Sequence, residues 1–81
     1  MLLIGPWRRA RKLKLTLRDA LEIERATVGV QQASHIDEFI DVGEFKLAHD
    51  QLLDALEDLK VGPSERTVAI LREARRMMGL S

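Results

Sequence analysis

The chain has no cysteine, two prolines and 4% aromatic residues. Without cysteine there is no disulfide staple, no thiolate nucleophile and no Cys-ligated zinc or iron–sulfur centre. The apolar run at Met1–Ile4 is only four residues long and no run exceeds it, far short of the ~20 that span a bilayer or of a signal peptide's apolar core. We therefore expect a cytoplasmic protein with no membrane span. The five glycines are scattered as breakers and caps, so no Gly-rich phosphate loop exists. His35 and His49 are the only histidines, and neither belongs to an HExxH-type motif. Ser34, His35 and Asp37 lie close in sequence, but proximity of a hydroxyl, an imidazole and a carboxylate along a chain does not make a triad. Metal sites gather ligands from several elements around one centre, and the acids here trace a linear ridge. We expect no enzyme activity, no cofactor and no metal.

What is present is a folding composition with an uneven charge layout. Eighty-one residues at 46% hydrophobic suit one small domain of about 4–12 kcal/mol net stability. The formal net charge is zero, yet residues 1–18 carry +6, residues 19–59 carry −9 and residues 60–81 carry +3. Such a basic–acidic–basic order bears on partners even though the total is neutral.

Periodicity predicts helices. Thr16 reads as an N-cap, with Asp19 three residues on, and Leu17, Ala20, Leu21 and Val28 share one face. Gly29 and the β-branched residues around it weaken this helix, which either stops near residue 28 or continues with a soft spot. Ser34 reads as a second start, Ile36, Phe39 and Ile40 as an inner face, and Gly43 as a stop. Glu44–Lys60 is the clearest helix, with Phe45, Ala48, Leu52, Ala55, Leu56 and Leu59 in one apolar stripe. Gly62-Pro63 ends it. Ser64 caps a last helix whose inner face is Thr67, Ile70, Leu71, Ala74, Met77 and Met78. Before Thr16, the alternation Lys12-Leu13-Lys14-Leu15 is crudely strand-like, but no second strand exists to pair with it. We take residues 1–15 as an extended basic arm or the frayed start of a helix. The expected architecture is all-α: a small antiparallel bundle of three to four helices over residues 16–81, preceded by that arm.

The run Ile40-Asp41-Val42-Gly43-Glu44-Phe45-Lys46-Leu47-Ala48, followed by Leu52-Leu53-Asp54-Ala55-Leu56-Glu57, resembles the helix–Gly-Glu-aromatic–helix core of the small bacterial MafI-like immunity proteins. Val61-Gly62-Pro63-Ser64 and Met78-Gly79-Leu80 also look like that family's ending. The resemblance covers roughly residues 35–80 and departs from the family pattern at Lys46, at His49 and through the first third. It implies a cytoplasmic bacterial protein that binds and neutralises a cognate secreted toxin domain, often a nuclease.

The residues point the same way independently. Asp50, Asp54, Glu57 and Asp58 lie opposite the apolar stripe of their helix, with Leu47 among them. Asp41 and Glu44 extend the negative field along the preceding turn, as do Asp37 and Glu38. Like charges at such spacing repel by a few tenths of a kcal/mol per pair, and an acidic ridge around one exposed leucine fits a basic partner by steering and complementarity. Asp41, Glu44, Leu47, Asp50, Asp54, Glu57 and Asp58 are the candidate partner-binding residues; taken singly, each acid reads first as a solvated helix position, and it is the stripe as a unit that points to an interface. The alternative is a small nucleic-acid-binding or regulatory protein acting through Trp7, Arg8, Arg9, Arg11, Lys12 and Lys14, with the indole stacked on a base. The same arm could lie on an anionic membrane, resemble a presequence, or fold back on acids of its own chain or a second copy.

Overall fold

The computed structural model describes residues 4–80, with side chains from Arg8 onward. Four helices follow one another: α1 (Ile4–Val28), α2 (Val30–Asp41), α3 (Phe45–Asp58) and α4 (Glu65–Met77). The expected all-helical bundle forms. Of the two readings of residues 1–15, the start of a helix is the one that occurs and the extended arm is not: from Ile4 the stretch is helical and belongs to α1. Leu13, Leu17, Ala20, Leu21, Glu24 and Val28 make one buried stripe along that helix, at the spacing i, i+4, i+7, i+8, i+11, i+15. The lysine–leucine alternation mimicked a period of two; of its leucines only Leu13 and Leu17 face inward, while Leu15 is 60% exposed. Pro6 does not break the helix because it sits in the first turn, where its missing N–H has no intrahelical partner to lose.

Two anticipated starts are corrected for a related reason. Thr16 is not an N-cap: it lies inside α1, and its hydroxyl donates to the Lys12 carbonyl at 2.8 Å. Nor does Ser34 begin a helix, since α2 starts at Val30 with Gly29 as its N-cap. Gly29, at φ 89° and ψ 164°, occupies a region open essentially to glycine alone. That one residue separates α1 from α2: its N–H donates to the Arg25 carbonyl and its carbonyl accepts from Ala33 N–H, each at 3.0 Å. The anticipated stop near residue 28 is therefore what occurs.

The other helix ends share one device. After α2, Gly43 N–H donates to the Ile40 carbonyl and Glu44 N–H to the Phe39 carbonyl, the paired bonds of a Schellman turn. After α3 the equivalent bonds come from Lys60 N–H to Glu57 and Val61 N–H to Leu56. There the left-handed position is held by Lys60, at φ 56°, instead of by a glycine. At the start of α4, the Ser64 hydroxyl accepts from Thr67 N–H at 3.2 Å, the cap expected from the sequence.

All three later helices pack on α1, and α4 leans on α1 far more than on α3. At ~1.5 Å per residue α1 is about 37 Å long, which explains the elongated outline of 44 × 23 × 16 Å. The core consists of the α1 stripe with Ala33, Ile36 and Ile40 of α2, Ala48, Leu52, Ala55 and Leu56 of α3, and Leu71 and Ala74 of α4. Phe39, Phe45, Ile70, Met77 and Met78 pack around its edge. Leu59, placed in the inner stripe by periodicity, is half exposed because it follows the end of α3.

One polar knot pierces this core. Glu24 is only 6% exposed, and its Oε2 accepts from the Thr67 hydroxyl at 2.6 Å and from Ser64 N–H at 3.0 Å. A carboxylate of α1 thus joins the N-terminus of α4, where negative charge also suits the helix dipole. Burial alone would raise the Glu24 carboxyl, but the hydrogen bonds from Thr67 and Ser64 outweigh it and hold it below its ordinary value.

Glu24→Ala, which strands the buried Thr67 hydroxyl and the part-buried Ser64 N–H, should cost about 1–3 kcal/mol in chemical denaturation. Because the folded carboxyl titrates below the unfolded one, the Glu24 contribution is complete above the unfolded value and is lost as pH falls through the folded value. The gap between parent and Glu24→Ala protein should accordingly narrow in acid. Lys60→Gly, relieving a left-handed residue, should raise stability by about 1 kcal/mol.

Candidate functional site

The acids nominated from the sequence divide into two groups. Asp37 and Asp41 of α2 face α1 and are claimed by its bases. The Arg18 guanidinium lies 2.6 Å from Asp41 and 3.5 Å from Asp37, while Arg25 reaches Asp37 at 3.1 Å. Lys14 Nζ donates to the Asp41 carbonyl oxygen at 3.2 Å. The bond to Asp41 is the chief reason the Arg18 guanidinium is held above its ordinary value. Asp41 is therefore a partner of α1 in a surface ion pair, with its side chain still 64% exposed. This pairing arises because Arg18 and Arg25 flank the buried stripe of α1 on the side where α2 returns.

The second group lies on α3, whose buried side (Ala48, Leu52, Ala55, Leu56) turns the opposite side to solvent. Asp54, Glu57 and Asp58 are exposed and make no ion pair among the described residues. Leu47, 48% exposed, shares their face at i, i+7 and i+11 with Asp54 and Asp58, over about 16 Å of helix. Glu44 is exposed at the N-cap of α3 and its side chain makes no capping bond. Asp50 is different: it is half-buried, taking Lys46 Nζ at 2.8 Å and His49 Nδ1 at 2.9 Å. The Lys46 bond first, then the His49 bond, holds its carboxyl below the ordinary range. What remains of the seven-residue set as free acidic surface is Asp54, Glu57 and Asp58 around Leu47, with Glu44 at one end.

The position of two of these acids carries a cost. Glu57 and Asp58 occupy the last turn of α3, which contains no base, so they face the negative end of the helix dipole. The last turn of α4, by contrast, carries Arg75 and Arg76.

The basic set also falls on a helix. Arg8, Arg9, Arg11 and Lys12 are exposed on α1, and Arg8, Arg11 and Lys12 surround the exposed Leu15 at helical spacing. Lys14 has turned toward Asp41. The Trp7 side chain lies outside the described side chains. Among the described residues no group of three or more histidines or carboxylates is arranged to hold a metal ion, and no helix is long and apolar enough to cross a membrane.

Two features escaped the sequence reading. Glu24 sat in plain view at a core-facing position of the α1 stripe, where a carboxylate needs a buried partner. His49 is a packed histidine, 2% exposed, but nothing in its sequence position signalled that its Nε2 would be buried without a hydrogen-bond partner. A buried polar atom left unpaired costs about 1–3 kcal/mol.

Since Asp58 is unpaired and opposes the helix dipole, Asp58→Lys should stabilise the fold by about 0.3–1 kcal/mol in a denaturant titration at low salt, with a smaller gain at high salt.

No family model matches the chain, and no curated protein or solved structure shows significant similarity to it.

Proposed function

We propose that this protein binds and neutralises a cognate basic toxin domain in the bacterial cytoplasm, as immunity proteins of the MafI-like kind do, and that the outer face of α3 is its docking surface. The observation that carries this reading is the presence of Asp54, Glu57 and Asp58 unpaired on one exposed face, the last two at the helix end where negative charge lowers helix stability. A surface selected only for solubility would spread its charges and complement its dipole. An exposed leucine bordered by such acids offers an apolar anchor, and the acids supply fast, salt-sensitive association with a cationic surface such as a phosphate-binding nuclease cleft. The resemblance around Gly43-Glu44-Phe45 supports the same conclusion. Asp41 and Asp50 act here as members of ion pairs that fix α2 on α1 and order the start of α3; Leu47, Asp54, Glu57 and Asp58 make the contact, with Glu44 at its rim.

A second reading rests on the α1 surface, where Arg8, Arg11 and Lys12 ring Leu15. A basic helix face of that kind suits a nucleic-acid backbone.

The two readings separate by point reversals that leave the core intact; deleting residues 1–15 would remove buried Leu13 and confuse binding with folding. A basic toxin domain co-purified from the native host should lose about tenfold or more in affinity, roughly 1.4 kcal/mol, for the Asp54→Lys, Glu57→Lys, Asp58→Lys triple variant. Arg8→Glu, Arg11→Glu, Lys12→Glu should leave that affinity unchanged. A toxin complex indifferent to the α3 reversal would overturn α3 as the docking surface, and nucleic-acid binding abolished by the α1 reversal would replace the first reading with the second.

A further inference from the structure

Between α3 and α4 the helices touch lightly, leaving a groove of about 410 Å³ lined by His49, Leu53, Val68, Leu71, Arg72 and Arg75. Its size is that of small-molecule sites, which are apolar clefts with a few convergent polar groups. Leu53, Val68 and Leu71 give the apolar walls. Two guanidiniums stand along α4: Arg72 is exposed, and Arg75 spends one N–H on the Leu80 carbonyl at 3.1 Å. A guanidinium carries five donors in all.

The imidazole of His49 defines what the groove would accept. Its Nδ1 lies 2.9 Å from Asp50 Oδ1. The Asp50 carboxylate, kept ionised by Lys46 and His49, can only accept, so Nδ1 carries the proton and donates. In the neutral ring Nε2 is then a bare acceptor, and it is the buried atom without a partner. A ligand suited to these groups brings a hydroxyl donor for Nε2, a flat apolar body for the leucine–valine walls, and an anion for the arginines. An ammonium donor is disfavoured by those same arginines.

We infer that the α3–α4 groove is a binding site for a small aromatic hydroxy acid, with the phenolic O–H donating to His49 Nε2, the ring between Leu53, Val68 and Leu71, and the carboxylate accepting from Arg72 and Arg75. Nε2 is fully covered, so a ligand reaches it only if side chains around the groove move aside. The site lies on the flank of α3 beside the Leu47–Asp58 ridge and does not depend on what that ridge binds.

The test uses the intact, isotope-labelled protein titrated separately with 4-hydroxybenzoate, benzoate and phenol. For 4-hydroxybenzoate, saturable shifts are expected at the Leu53, Val68 and Leu71 amides and at the His49 Nε2 resonance. Benzoate, lacking the donor, and phenol, lacking the anion, should each bind about tenfold more weakly. Arg72→Ala, a change at an exposed residue, should weaken 4-hydroxybenzoate without reducing it to the affinity of phenol, since Arg75 remains. Equal affinity for 4-hydroxybenzoate and benzoate overturns the assignment. So does the absence of saturable groove shifts at millimolar ligand, and so does an Arg72→Ala protein that binds as tightly as its parent.

Discussion

The burial of one stripe on α1 is the constraint on which the molecule depends. Leu13, Leu17, Ala20, Leu21, Glu24 and Val28 form the surface against which α2, α3 and α4 all pack. The shorter helices, at 12 to 14 residues, are marginal in isolation and draw their stability from that packing. Glu24 gives the arrangement its specificity. Apolar faces tolerate sliding, whereas a buried carboxylate accepting from Thr67 and Ser64 sets the height of α4 along α1, since any shift leaves a charge without its donors.

Charge follows from this geometry. Helix α1 is basic at its start and turns Arg18 and Arg25 toward Asp37 and Asp41 of α2. Ion pairing between helices, among the described residues, thus lies at the α1–α2 seam. The acids of α3 lie beyond reach of those arginines, and the bases at the start of α1 remain on its outer face. A protein of zero formal net charge accordingly presents two surfaces of opposite sign, each centred on an exposed leucine, Leu47 on one and Leu15 on the other.

Helix content and most of the core were legible because the inner positions of α3 and α4 repeat at helical spacing without interruption. Ser64 and Gly43 were legible because capping chemistry is local. The beginning of α1 was not, since alternating lysine and leucine satisfies a two-residue period as well as half of a four-residue one; only packing decides between them. Thr16 and Ser34 misled for the opposite reason, as hydroxyl residues that mimic starts while lying within continuous helices. For the candidate surface, sequence placed the acids on the correct face of α3 but could not show that Asp41 and Asp50 were already engaged, because their partners Arg18 and Lys46 had equal claim to solvent. The groove at His49 was invisible because it arises from the slight divergence of α3 and α4, a property of tertiary packing.

The single-residue joint at Gly29 makes the relation between α1 and α2 rigid in an unusual sense. With one residue and no slack, adding or removing a position there would rotate α2 about its own axis by roughly 100°. Ile36 and Ile40 would leave the core, and Asp37 and Asp41 would swing away from their arginines. Length variation in this chain is therefore tolerable at the 61–64 connection and intolerable at the earlier one, so insertions such as reporters or affinity tags belong between α3 and α4.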